Sequence, residues 1–83
     1  MLELKHQSKE QFLERFRNRY RESSGLETIR QSSWLADRLD DGDFTDDQVM
    51  SSFKFKTSEM VSFKARLNSR RATLRQIRSA IGE

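Results

Sequence analysis

Eighty-three residues, 34% of them apolar and 35% charged, leave room for one domain with a thin core, because ordinary domains run to about 100–150 residues at roughly 45–50% apolar content. The chain has no cysteine, which excludes disulfides and thiolate chemistry, and no apolar run approaches the ~20 residues of a membrane span. A net charge of +3 conceals three blocks: six Lys/Arg against four Glu in residues 1–24, two against seven acids in 25–48, and eight against two in 49–83. An acidic middle and a basic tail meet either within one chain or between chains.

No proline interrupts the sequence, and its three glycines, at 25, 42 and 82, sit where helices would end. The expected organisation is a single all-α domain over residues 1–83, a small bundle of three to four helices with a long C-terminal helix. Residues 1–8 read as an N-terminal arm without the apolar stretch of a signal peptide. The first helix, 9–24, takes Ser8 as its cap with Gln11 as the reciprocal partner, and gathers Phe12, Leu13, Phe16 and Tyr20 on one face. The second, 26–41, places Ile29, Leu35, Ala36 and Leu39 together and stops at Gly42. The third, 46–53, has a capping box in Thr45 and Gln48, two acids in its first turn, and Phe44 and Val49 spaced as a hydrophobic staple.

The fourth helix, 58–81, is the longest. Met60, Phe63, Leu67, Leu74, Ile77 and Ile81 recur at spacings of three and four, a heptad-like seam interrupted by Arg70. A second stripe of Val61, Ala65, Ala72 and Ser79 would let another helix approach closely. With two packing faces, this helix is the expected spine of the fold or of an assembly.

The chemistry-bearing residues are few. His6 is the sole histidine, and without a second histidine, a cysteine or a glycine-rich loop the usual nucleophile, zinc and nucleotide motifs are absent. Neither an enzyme nor a cofactor is expected. The acids Asp37, Asp40, Asp41, Asp43, Asp46 and Asp47 surround Gly42 in the manner of a calcium loop, but that alignment puts Leu39 on a ligand position and Gln48 where a bidentate Glu belongs. They read instead as a helix stop followed by a capped helix start. Lys64, Arg71, Arg75 and Arg78 form a basic stripe beside the seam. Such a stripe tracks the phosphates of a nucleic acid or pairs with protein carboxylates, in the same chain or another. Trp34 has Arg30 and Arg38 one turn to either side, the composition of a cation–π ladder and of binding hot spots. The alternative is that Trp34 packs beneath another helix of its own chain.

The run Tyr20-Arg21, Gly25, Trp34-Leu35, Gly42-Asp43-Phe44-Thr45-Asp46 and Phe53, followed by Lys64, Arg66-Leu67, Ile77, Ala80 and Gly82-Glu83, resembles small helical proteins encoded among the structural genes of tailed bacteriophages. The resemblance implies a virion or assembly component acting in many copies, located in the virion or the host cytoplasm. The leading expectation is therefore a non-enzymatic structural protein that holds copies of itself or other virion proteins through Trp34, Arg30, Arg38, Phe63, Leu67, Leu74 and Ile77. Two other readings stay open: a small nucleic-acid-binding regulator using Lys64, Arg71, Arg75 and Arg78, and a monomeric inhibitor of a host protein. No membrane partner is expected.

Overall fold

A computed structural model describes residues 8–22 and 25–82 and folds them into four helices: α1 (Lys9–Glu22), α2 (Leu26–Asp40), α3 (Asp46–Phe53) and α4 (Thr57–Ala80). Residues 1–7, His6 among them, lie outside the described residues, as do 23–24, where the first helix was expected to end. Elsewhere the helix bounds fall within one residue of those that the sequence predicts.

Local chemistry explains the boundaries. Ser8 Oγ accepts from the Gln11 amide at 3.0 Å while Gln11 Oε1 accepts from the Ser8 amide at 3.2 Å, so α1 starts with a closed capping box. Thr45 and Gln48 make the same reciprocal pair at α3, at 3.2 and 2.9 Å, with Phe44 and Val49 both buried beside it. At α4 only half a box forms: Glu59 Oε1 accepts from the Lys56 amide at 2.7 Å, since the lysine side chain has no acceptor to return. Gly42 (φ +84°) reverses the chain after α2, the left-handed conformation that glycine reaches without strain. Lys54 takes that conformation after α3 (φ 61°, ψ 44°), and the Phe55 amide donates back to the Met50 carbonyl at 3.0 Å, the long bond of a Schellman ending.

The long helices α2 and α4 run antiparallel against each other, as the order of their side-chain partners shows: Arg70 meets Ser32, Arg71 meets Asp37 and Asp40, and Lys64 meets Asp46 beyond the end of α2. The shorter α1 runs along α2, from Arg19 beside Glu27 to Lys9 beside Asp43, and α3 packs against α1 and α4. Phe16, Leu35, Val49 and Leu67, one from each helix, are completely buried. An aromatic cluster joins them, with Phe16, Tyr20, Phe53 and Phe63 at centroid separations of 5.0–6.5 Å, the range in which tilted and edge-on rings attract.

Two expectations change here. Phe63, Leu67 and Leu74 were expected to face a neighbouring molecule, but they are buried inside the chain, Ile77 is half-buried, and only Ile81 is exposed. The seam of the fourth helix is the monomer's own core because α2 lies antiparallel along it. On α2, Ile29 is only half-buried, whereas Thr28, Ser32 and Ser33 are buried. These small residues bring α2 close to α4. Ser32 Oγ donates to the Thr28 carbonyl at 2.7 Å and accepts from Arg70 Nη1 at 3.1 Å, so its burial leaves no polar atom without a partner. Arg70, the polar break in the seam, also stacks 4.6 Å from the centroid of Tyr20.

Candidate protein-binding face

The charge blocks meet within the chain. Arg71 Nη1 lies 2.7 Å from Asp37 and 2.8 Å from Asp40, Lys64 pairs with Asp46 at 3.1 Å, and Lys9 of α1 reaches Asp43 at 3.4 Å. The two carboxylates facing Arg71 hold its guanidinium pKa above the ordinary arginine value. Lys64 and Arg71, offered as a phosphate-tracking pair, are thus occupied by acids of the same molecule. Arg75 is exposed and makes no ion pair among the described residues, while Arg78 is exposed but engaged. Of the four residues of the basic stripe, Lys64 and Arg71 are bound by acids of the same chain and Arg78 is engaged as well.

Among the described residues no three carboxylate or histidine side chains converge on a metal-sized site. Asp41 closes the acidic turn instead, accepting from the Asp43 amide at 3.0 Å and from Arg38 Nε at 3.0 Å. The amide bond and the guanidinium, in that order, hold its carboxyl below the usual value. Among the described residues, no helix is long and apolar enough to cross a membrane.

Trp34 is placed differently. It sits on the flank of α2 that faces α1, its ring edge-on to Phe12 at 4.8 Å and to Phe44 at 5.6 Å. Arg38 covers it at 5.5 Å and is itself fixed by Asp41 at 2.9 Å. Yet 41% of Trp34 remains exposed. Core and surface are therefore both true of this residue: the indole packs against Phe12 and Phe44 and still keeps contact with solvent. Of the two arginines expected to flank it, Arg38 forms the cation–π contact, while Arg30 is exposed and unpaired among the described residues. Arg15, one turn beyond Phe12 on α1, is likewise exposed and unpaired, and Arg19 reaches across to Glu27 at 3.9 Å. The result is a partly exposed aromatic ring covered by the ion-paired Arg38, with Arg30, unpaired among the described residues, one turn away on the same helix.

The opposite flank of α1 faces α3. Between α1 and α3 runs an open groove of about 610 Å³ bordered by Glu10, Glu14 and Asp47, three exposed carboxylates without ion pairs among the described residues. Two cations also border it: Lys9 pairs with Asp43, and Arg17, which donates to the Ser52 carbonyl at 2.8 Å, keeps its charge, so the groove is mixed in charge and otherwise lined by hydroxyl and amide groups. Helical geometry explains the division: Phe12, Arg15 and Arg19 share one side of α1, Glu10 and Glu14 the other. Sequence reasoning singled out Trp34, Arg30 and Arg38 but missed Arg15, Phe12 and the groove, because a single-helix pattern does not say which flank meets which neighbour. It also missed Tyr20, held between Arg70 and Arg66, whose Nη1 donates to the Tyr20 hydroxyl at 3.2 Å.

Compared with protein-family models, with curated proteins and with solved structures, the chain finds no match.

Proposed function

We propose that this protein is a non-enzymatic interaction module that docks a protein partner through the Trp34 face. The observation that carries the reading is a large aromatic ring left 41% exposed although it packs against Phe12 and its guanidinium lid is fixed. A tryptophan side chain presents up to about 250 Å², so roughly 100 Å² of apolar surface stays in water, a penalty of about 2.5 kcal/mol that a partner would remove. An indole already held in place loses little conformational entropy on docking, which is the situation of interface hot spots. The setting suggested by the sequence resemblance, a structural or assembly component of a tailed-phage virion present in many copies, is compatible with this surface and rests on that resemblance alone.

A nucleic acid is the weaker candidate. Lys64 and Arg71 are neutralised within the fold, and a single aromatic makes a poor platform for successive bases. The test is site-specific photo-cross-linking in the cells that carry the protein. A cross-linker at Gln31, beside Trp34, should give a discrete protein adduct that is lost with Trp34→Ala. The same cross-linker at Lys54, at the exposed end of α3, should give none. Adducts that disappear on nuclease treatment, or equal adducts from both positions, would contradict the reading.

A further inference from the structure

Leu26, Arg30 and Trp34 stand at successive turns on the outer face of α2, and all three are exposed, Leu26 by 46% and Trp34 by 41%. At 1.5 Å of rise per residue the two apolar residues lie about 12 Å apart, with Arg30 midway. Every other charged residue of the helix is paired within the chain: Glu27 with Arg19, Asp37 and Asp40 with Arg71, and Arg38 with Asp41. Arg30 is thus the one charge of α2 without an ion pair among the described residues, and it sits between the two exposed apolar side chains. A partner that covers both Leu26 and Trp34 has to cover Arg30 as well. Taking a guanidinium out of water without a counter-charge is strongly unfavourable, whereas a carboxylate accepts its planar fork in two parallel hydrogen bonds. We infer that the partner of this face is an acidic protein segment, a helix laid along α2 that sets a carboxylate against Arg30 between two apolar side chains, one on Trp34 and the other on Leu26.

This inference rests on the proposed role of the Trp34 face and names the chemistry of its partner. Side chains at successive turns of a partner helix repeat at the same rise as those of α2, so an apolar–acidic–apolar row meets the Leu26–Arg30–Trp34 row in register. Arg15 on α1 and Arg75 on α4, also exposed and without ion pairs among the described residues, add positive charge on the two helices packed against α2. They favour the approach of an acidic partner, an effect that salt screens. A nucleic acid strand fits this row less well. Its regularly spaced phosphates would set charge against Leu26 and Trp34 too, and the row offers a single cation where phosphate binding gains its strength from several. Docking leaves the ion pairs between α2 and α4 intact, so the fold need not open.

The experiment titrates the purified chain with synthetic peptides of about fifteen residues, roughly four turns of helix, and reads the fluorescence of Trp34, the chain's sole tryptophan. The peptides lack tryptophan and are held helical by a lactam bridge on the far face. The first carries leucine, glutamate and leucine at successive turns on an alanine and glutamine background. The second has lysine in place of that glutamate, and the third has alanine in place of both leucines. The glutamate peptide should bind about tenfold more tightly than the lysine peptide, with the gap narrowing as salt rises. The third peptide should lose most of the affinity. Arg30→Glu should reverse the preference, Arg30→Lys should keep it, and Leu26→Ala should weaken the glutamate peptide about fivefold. Circular dichroism checks the helix content of each variant; if Arg30→Glu loses it, Arg30→Gln takes its place and the preference should vanish. Equal responses to the glutamate and lysine peptides, no response to either included, or a preference that survives Arg30→Glu, overturns the inference. So does an oligothymidylate that binds the wild type more tightly than the glutamate peptide. If the Gln31 cross-linker still captures a protein in that case, the Trp34 face remains a docking surface and only the chemistry of its partner is refuted.

Discussion

Lys54 shows how a single residue can be locally unfavourable and still be tolerated. It ends α3 in the left-handed region, where a β-carbon crowds the following carbonyl. The Phe55–Met50 hydrogen bond and the partial burial of both side chains against the core keep it there. Lys54→Gly should therefore raise the unfolding free energy by about 1 kcal/mol, read by urea denaturation; an unchanged or lower midpoint would mean that the lysine stem contributes packing of its own. Arg70 is the opposite case, a charged residue on a core seam made favourable by Ser32 and Tyr20. Arg70→Ala should cost about 1–2 kcal/mol through the lost stacking and hydrogen bond. Asp41 carries a pH signature. Its carboxyl titrates lower in the folded chain than the ordinary value of 3.8, so its contribution is present above that value and is lost as pH falls through the lowered one. The stability difference between wild type and Asp41→Ala should thus be full at neutral pH and vanish in acid, whereas a difference that grows in acid would contradict the assigned hydrogen bonds.

At the scale of elements, the termini were the most legible part of the chain and the partners of each face the least. Ser8–Gln11, Thr45–Gln48 and the Gly42 stop are recognised by contacts spanning at most three residues, and that chemistry is complete within the local sequence. The seam of α4 was equally visible as a period, but a period says that a face is covered and not by what. Phe63, Leu67 and Leu74 could have met a second molecule; they meet the chain's own helices instead. The signal for that outcome lay on α2 in Thr28 and Ser32, which with Leu35 and Leu39 make a stripe at spacings of four, three and four. Their polarity hid the stripe, since a small hydroxyl that bonds back to its own helix is buried at little cost. Leu67→Ala measures the difference directly. As a core residue it should lower the unfolding free energy of the dilute monomer by about 2–5 kcal/mol; a monomer of unchanged stability would return the seam to an intermolecular role.

At the scale of the whole molecule, the opposed charge blocks are largely spent on closing the fold, with the acids at and after the end of α2 bound by Lys9, Lys64 and Arg71. Among the described residues, the charges left without ion pairs include Arg15, Glu10 and Glu14 on α1, Arg30 on α2, Asp47 on α3 and Arg75 on α4. The Trp34 patch was partly legible, because a tryptophan between two arginines is conspicuous in any sequence. The polarity across α1 was not, because it depends on which flank α2 and α3 each occupy. The central claim is that the Trp34 face is where this protein binds, and the chain's sole tryptophan allows that residue to be observed alone. The most direct measurement is the fluorine NMR signal of the chain labelled with 5-fluorotryptophan, recorded across concentration and in nuclease-treated lysate of the cells that carry it. Docking at this face predicts a resonance that shifts or broadens with concentration or in lysate and returns to its dilute position on Arg15→Glu/Arg30→Glu substitution. A line that keeps the same position and width under every condition would contradict the account.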